Sequence, residues 1–173
     1  MFQKLGKHTL LFFFWTLLQV LIINHWELAS GWFLPQPYVF FILALPFETP
    51  IAVLLLLCLG QGLVVDSFTD TPGLNASALL WVGMLRPWVL KAIAPRDGYE
   101  FGAEPTIRGL GSTWFINYVL ILAGVHHLWL FILEFFGWSF TGRIIGTSLL
   151  SLIGTLGIGF IYQFFGAGSK MKR

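Results

Sequence analysis

Four stretches of this chain, residues 8–26, 71–91, 112–136 and 143–165, are mostly apolar and each is long enough to cross the hydrocarbon core of a bilayer. A helix of about 20 such residues spans a membrane. Repeated four times in 173 residues, the pattern leaves little chain for a water-facing surface. Composition agrees, because with only 10% of residues charged, eighteen Phe and eight Trp would leave apolar patches that a soluble monomer does not tolerate. A soluble enzyme is excluded, and the segments between apolar runs are too short for a separate soluble domain of about 50 residues. The expected fold class is an all-α polytopic membrane protein, with residues 1–173 forming a single integral membrane domain.

Ten Lys or Arg against eight Asp or Glu give a net charge of +2, with no basic block large enough for a nucleic-acid footprint, so no nucleic-acid partner is expected. Cys58, the single cysteine, sits in an apolar run and reads as a small core or lipid-facing residue that can form no internal disulfide. Lys4 and Lys7 ahead of the run 10–23 imitate a signal peptide. Bulky Trp26 and Trp32 flank the only small-residue stretch, Ala29-Ser30-Gly31, so the run reads instead as an uncleaved first span.

Residues 33–66 pose the topological question, since a short run, 37–47, is followed by Glu48-Thr49-Pro50 and a second run, 51–65. Cytoplasmic loops collect Lys and Arg, and that bias decides whether the short run crosses. With six spans and the N-terminus inside, Lys4, Lys7, Lys91, Arg96, Arg108, Lys170, Lys172 and Arg173 are cytoplasmic and only Arg143 is outside. With five spans, or with 37–47 re-entrant, the bias takes the wrong sign. The expected topology is therefore six transmembrane helices, the second one short, with both termini cytoplasmic.

Even taken from 32 to 47, the second span reaches only about 24 Å against a hydrocarbon core of about 30 Å. Trp32 and Tyr38 must anchor it, and neighbours must shield the backbone groups freed by Pro35, Pro37 and Pro46, which makes it a buried element of the bundle. The long connection 92–111 is polar and turn-rich. Pro95, Gly98, Gly102 and Pro105 argue against a regular helix there, while Arg96, Asp97, Glu100, Glu104 and Arg108 mix both signs. It reads as a solvated loop or as the contact surface for a soluble partner.

Ionisable groups inside spans are costly, so each marks a candidate site. Arg86 lies five residues before Lys91, about 7 Å inside the cytoplasmic end of the fourth span. Its guanidinium is expected to reach the headgroups and to pair with Glu48. At the other face, Asp66-Ser67-Phe68-Thr69-Asp70-Thr71-Pro72-Gly73 joins the third and fourth spans. Thr71 reads as an N-cap and Pro72 as the first helical residue, with Asp66 or Asp70 accepting from the free amides that follow. The run lacks the dense oxygen spacing of a calcium loop, so no metal is expected, and Asn75-Ala76-Ser77 matches a glycosylation sequon by chance inside a span.

On the fifth span, His127 and Glu134 share a face to within about 20° while His126 points elsewhere. Such a pair can form a proton relay or metal site, but interhelical hydrogen bonding is the simpler reading, as it is for Gln19, Asn24, Asn117 and Tyr118. The sixth span aligns Thr147, Ser151, Thr155 and Gly159 at steps of four, after Gly142 and Gly146. That line is a packing face, internal to the bundle or against a partner helix. No Gly-x-Ser-x-Gly elbow, His-Glu-x-x-His pair, phosphate loop or cysteine cluster occurs, and neither catalysis nor a cofactor is expected.

Taken together, these segments resemble the rod shape-determining protein MreD family of bacteria, in its Bacteroidetes form. The resemblance is carried by LLQVLIINHW, LALPFETP, GLVVDSFTDTPGLNASA, LRPWVLKAIAPRDGYE and GAEPTIRGLGSTWFINYVLILAGVHHLWLFILEFF, and it runs nearly end to end, least in the sixth span. It implies a non-enzymatic subunit of the cell-elongation machinery in the inner (cytoplasmic) membrane. Such a subunit supports side-wall peptidoglycan synthesis and rod shape, binds MreC, and links cytoplasmic MreB filaments to the RodA glycosyltransferase and its transpeptidase partner. The family is also described as similar in fold to the substrate-binding subunits of energy-coupling-factor transporters. The alternative is thus a vitamin-type substrate-capture subunit with its ligand near Asn24, Asp66 and His127. The first span lacks the Ala-x-x-x-Ala pair by which many such subunits dock, which favours the scaffold.

Overall fold

The computed structural model describes residues 2–25 and 29–165, and is helical with no strand among the described residues. Trp26, the expected end of the first span, and the basic residues Lys170, Lys172 and Arg173 lie outside the described residues. Helix α1 (Phe2–Leu17) continues into a π-helical turn (Leu18–Ile22) and a 3-10 turn (Ile23–His25). Then follow α2 (Val39–Leu43), α3 (Ile51–Thr69), α4 (Leu74–Ala92), the short α5 (Ile107–Leu110), α6 (Ser112–Glu134) and α7 (Thr141–Phe165). Among the described residues, four segments are long and apolar enough to cross a membrane: Gly6–His25, Ile51–Thr69, Ser112–Glu134 and Trp138–Phe165. Helix α4 matches α3 in length, at 19 residues, but carries Asn75, Arg86 and Lys91. It packs against both α3 and α6, with Asn75 and Arg86 buried.

The α3–α4 hairpin closes tightly because two positions have no side chain to hold it apart. A β-carbon at Gly62 would collide with the backbone of Ala76, and one at Gly83 would meet Cys58 Sγ. Cys58 is fully buried at this contact, which makes it a core residue.

The segment read as the second span departs from a regular helix. Only Val39–Leu43 is α-helical, and residues 34–36 have no regular structure. Pro35, Pro37 and Pro46 explain this, since each lacks an N–H and biases the preceding residue away from helical backbone. The segment is buried as expected, with Tyr38, Val39, Phe40, Phe41, Ile42 and Leu43 each 4% exposed or less. It fits because α7 presents glycines to its largest side chains: Gly146 faces Trp32, Gly154 faces Phe33 and Gly159 faces Phe40, each without room for a β-carbon. The small-residue line of α7 is thus an internal packing face, with Thr147, Ser151, Thr155 and Gly159 buried. Gly142 is the exception, exposed with open space around it.

Charges sort to the two ends of the bundle. Lys7, Lys91, Arg96 and Arg108 gather where α1 begins and α4 finishes, whereas Arg143 sits at the other end, its guanidinium 4.6 Å from the centre of the Phe135 ring. The connection 93–106 is folded onto the basic end. Tyr99 stacks on Phe47 at 4.2 Å, the Phe47 N–H donates to the Ala103 carbonyl (3.3 Å), and the Trp114 indole donates to the Ile93 carbonyl (2.9 Å). Burial raises the Tyr99 phenol above its ordinary pKa range, so it stays protonated and donates to the Leu90 carbonyl (2.7 Å). Lys7 pairs with Glu104, and His8 lies 3.5 Å from the same carboxylate. The connection is therefore docked on the bundle, and Ile107–Leu110 adds a single helical turn to it.

Candidate functional site

Asp66 closes the α3–α4 hairpin from the last turn of α3. Its Oδ1 accepts from Thr71 Oγ1 (3.1 Å), the Asn75 N–H (2.9 Å) and Asn75 Nδ2 (2.9 Å), and its Oδ2 accepts from the N–H groups of Gly73 (3.1 Å) and Ala76 (3.1 Å). The first amides of a helix have no partner within it, and the positive end of the helix dipole favours an anion there. One buried carboxylate thus caps α4 across the loop. The cap differs in detail from the expected one. Helix α4 starts at Leu74 with Gly73 at its N-cap, at φ +83°, so Thr71 serves as a bridge between Asp66 and Asn75. Asp70 is exposed and takes no part in the cap; it ends α3 in left-handed backbone at φ +53°.

From Asp66 a chain of hydrogen bonds runs into the bundle. Asn75 turns its amide NH2 toward the carboxylate, leaving Oδ1 to accept from Tyr38 OH (2.8 Å), and the Tyr38 oxygen lies 2.8 Å from His126 Nε2. With the phenol proton already given to Asn75, His126 Nε2 must carry a proton and donate. Every donor in the series therefore points toward Asp66. At its far end His126 Nδ1 is buried without a partner. His126, read as pointing away from the face of His127 and Glu134, points to Tyr38 and is fully buried in this network, because α6 is covered on more than one face.

Beside it, His127 links α6 to α7. Its Nδ1 donates to the Ala123 carbonyl (2.7 Å), so its Nε2 accepts from Thr155 Oγ1 (3.0 Å). Thr155 Oγ1 in turn accepts from the Gln36 N–H (2.8 Å), and Ser151 Oγ accepts from the Leu34 N–H (2.8 Å). Two side chains of α7 thereby replace the helical hydrogen bonds that residues 34–36 lack. The Tyr38 carbonyl accepts from Gln61 Nε2 (3.0 Å), and the Pro35 carbonyl faces Gln19 Nε2 (3.4 Å), from the π-helical turn. Gln19 also donates to Asn24 (2.7 Å). Glu134, read as sharing a face with His127, is exposed at the end of α6, whereas His127 is fully buried and bonded to α7. Asn117 is exposed on the same helix.

Arg86 overturns the pairing expected of it. It is 1% exposed, turned into the bundle and away from any headgroup. Its Nε donates to Tyr118 OH (2.8 Å), its Nη2 donates to the Leu45 carbonyl and lies 3.3 Å from the Pro46 carbonyl, and Tyr118 OH donates to the Leu43 carbonyl (3.1 Å). Carbonyls at the end of a helix carry partial negative charge, and the Leu43, Leu45 and Pro46 carbonyls lie at and just past the end of α2. Arg86 supplies the counter-charge for that end. Glu48 is engaged elsewhere, accepting from the Gly102 N–H (2.7 Å) of the docked connection.

The residues the sequence singled out thus divide into two knots, one at Asp66 and one at Arg86, with His127, Ser151 and Thr155 between them. Tyr38, read from the sequence as an interfacial anchor of the second span, is instead fully buried in this network, and Gln36 and Gln61 were not singled out. A polar residue in a proline-broken stretch is the signal that could have found Tyr38 and Gln36, since free backbone there requires partners. The arrangement can fix chain segments and orient hydrogen bonds. Among the described residues no three His, Cys, Asp or Glu come together as metal ligands. The chain matches no family model, and no curated protein or solved structure is detectably similar to it.

Proposed function

We propose that this chain is a non-enzymatic scaffold subunit of a bacterial cell-elongation machinery. In this reading it crosses the inner membrane six times with both termini in the cytoplasm, and it supports side-wall peptidoglycan synthesis and rod shape through MreC. MreB filaments, RodA and a transpeptidase form the wider complex that the resemblance to the MreD family implies. One observation carries the reading: the polar residues within the resembling segments are engaged with one another. Asp66 and Asn75 in GLVVDSFTDTPGLNASA, Arg86 in LRPWVLKAIAPRDGYE and the carbonyls of LALPFETP lock neighbouring passages of the chain together, as a rigid docking body requires. The gathering of Lys7, Lys91, Arg96 and Arg108 at one end of the bundle supports six crossings by the same charge bias. A capture subunit has less support, because both oxygens of Asp66 and both ring nitrogens of His127 have partners within the chain.

Co-isolation tests the proposal. The tagged chain in its own host should bring down a single-span periplasmic protein of the MreC type, and its depletion should turn rods round. A host that stays rod-shaped while the tagged chain brings down no such protein overturns the reading. A bound vitamin-sized molecule lost on Asp66→Ala would favour the capture subunit.

A further inference from the structure

One polar side chain of α6 is left over. Asn117 is exposed and makes no side-chain hydrogen bond among the described residues, whereas Gln19, Gln61, Asn75 and both histidines of α6 do. It also lies deep. About 30 Å of hydrocarbon counted back from Glu134, the last residue of α6, reaches Trp114 at about 1.5 Å per residue, which puts Asn117 about 4–5 Å inside the apolar layer. An amide facing lipid at that depth has nothing to bond to, and it lacks the long stem by which Lys or Arg regains the interface.

The face around it has one character. Thr113, Asn117, Leu120, Ile121, Gly124 and Leu128 fall within an arc of about 100°, and none of them is charged. Leu120, Ile121 and Leu128 are exposed. Packing within the chain does not require a glycine at 124, since a β-carbon there would meet only Leu152 Cδ2 at 3.7 Å, an ordinary contact. Glycine inside a helix is destabilising, and in a membrane it lets a second helix come close.

We propose that this face docks a second copy of the chain, α6 against α6, with the Asn117 amide of each copy donating to the Asn117 carbonyl oxygen of the other. Two copies of the same topology that share one interface are related by a two-fold axis along the membrane normal, so each residue meets its own counterpart at the same depth. Such a face must be complementary to itself. Asn117 is, because a primary amide offers both a donor and an acceptor, and so are a glycine and aliphatic side chains. Charge, which would repel its own copy, is missing. A foreign helix places no such demand. The inference needs the bundle to lie in a bilayer and is independent of the scaffold reading.

Energy transfer between donor- and acceptor-labelled copies tests it, with dyes on Asp97→Cys in a Cys58→Ala background and the purified full chain in phosphatidylcholine vesicles over a range of protein-to-lipid ratios. The unaltered face should give a dimer. Asn117→Leu should weaken it roughly ten-fold, and Asn117→Gln, which keeps the reciprocal amide, should restore most of the loss. Gly124→Leu should weaken it too by holding the helices apart, and it reads the same face should Asn117→Leu lose helix content. Oxidation should cross-link Thr113→Cys between copies but not Leu63→Cys, which is exposed on α3. A chain that stays monomeric at every ratio, a dimer indifferent to both Asn117→Leu and Gly124→Leu, or cross-linking through Leu63→Cys instead overturns the proposal. So does a co-purified helix of another protein that is shed on Asn117→Leu.

Discussion

At position 66 two oxygens receive five donors, and both must accept. Asparagine would turn an NH2 against at least one row of amides, and alanine would leave all five donors unmet. Asp66→Asn should therefore cost about 1–2 kcal/mol and Asp66→Ala about 3 kcal/mol or more, measured by unfolding in detergent followed by circular dichroism. Equal losses would mean that the carboxylate does more than cap. Arg86 is read the same way. Arg86→Met should cost about 3 kcal/mol because it strands the Leu45 carbonyl and the Tyr118 hydroxyl, while Glu48→Gln should cost under about 1 kcal/mol, and the two losses should add. The sequence made both residues conspicuous, since charges inside apolar runs are rare. It could not name the partner of Arg86, because backbone carbonyls leave no trace in residue identity and Glu48 was the nearest opposite charge by topology.

Among the elements, the long helices, α4 included, were legible from apolar length and from the charges and turns that end them. The segment 32–47 was legible as short and buried, but not as an irregular stretch holding only five α-helical residues. Its hydrogen bonds are completed by Ser151 and Thr155, more than a hundred residues further on, and no local pattern reports such a partner. Ser151→Ala should raise amide hydrogen exchange at Leu34 and destabilise the bundle by about 1–3 kcal/mol, since a buried N–H would lose its acceptor. Exchange unchanged at Leu34 would show that the bond is not made. At Gly159 the Phe40 ring leaves no space, so Gly159→Leu should displace 39–43 and lower the unfolding temperature, whereas Gly142→Leu, in open space, should change little.

Across the whole molecule the two ends differ in kind: one is closed by a capped hairpin, the other covered by the docked connection 93–106. Phe47 is one of its main anchors, contributing both the stack on Tyr99 and the N–H to Ala103. Phe47→Ala should free the connection and raise its rate of proteolytic cleavage several-fold with the helices intact. A cysteine at position 96, in a Cys58→Ala background, should react with a membrane-impermeant reagent from the cytoplasmic side and one at position 70 from the opposite side; the reverse would invert the topology. The docking itself was not legible, because the composition of 92–111 reads as solvated and its anchors, Phe47 under Tyr99, Glu48 at Gly102 and Lys7 at Glu104, lie far off in the sequence.

The dependence of residues 34–36 on α7 has a consequence for biogenesis. This stretch leaves the ribosome long before Ser151 and Thr155 exist, and until they arrive its amides have no acceptor in hydrocarbon. The early passage is therefore expected to wait outside the lipid interior until α7 is made and draws it in. A chain stopped after residue 136 should leave a cysteine at position 36 open to aqueous reagents, and the complete chain should shut it away.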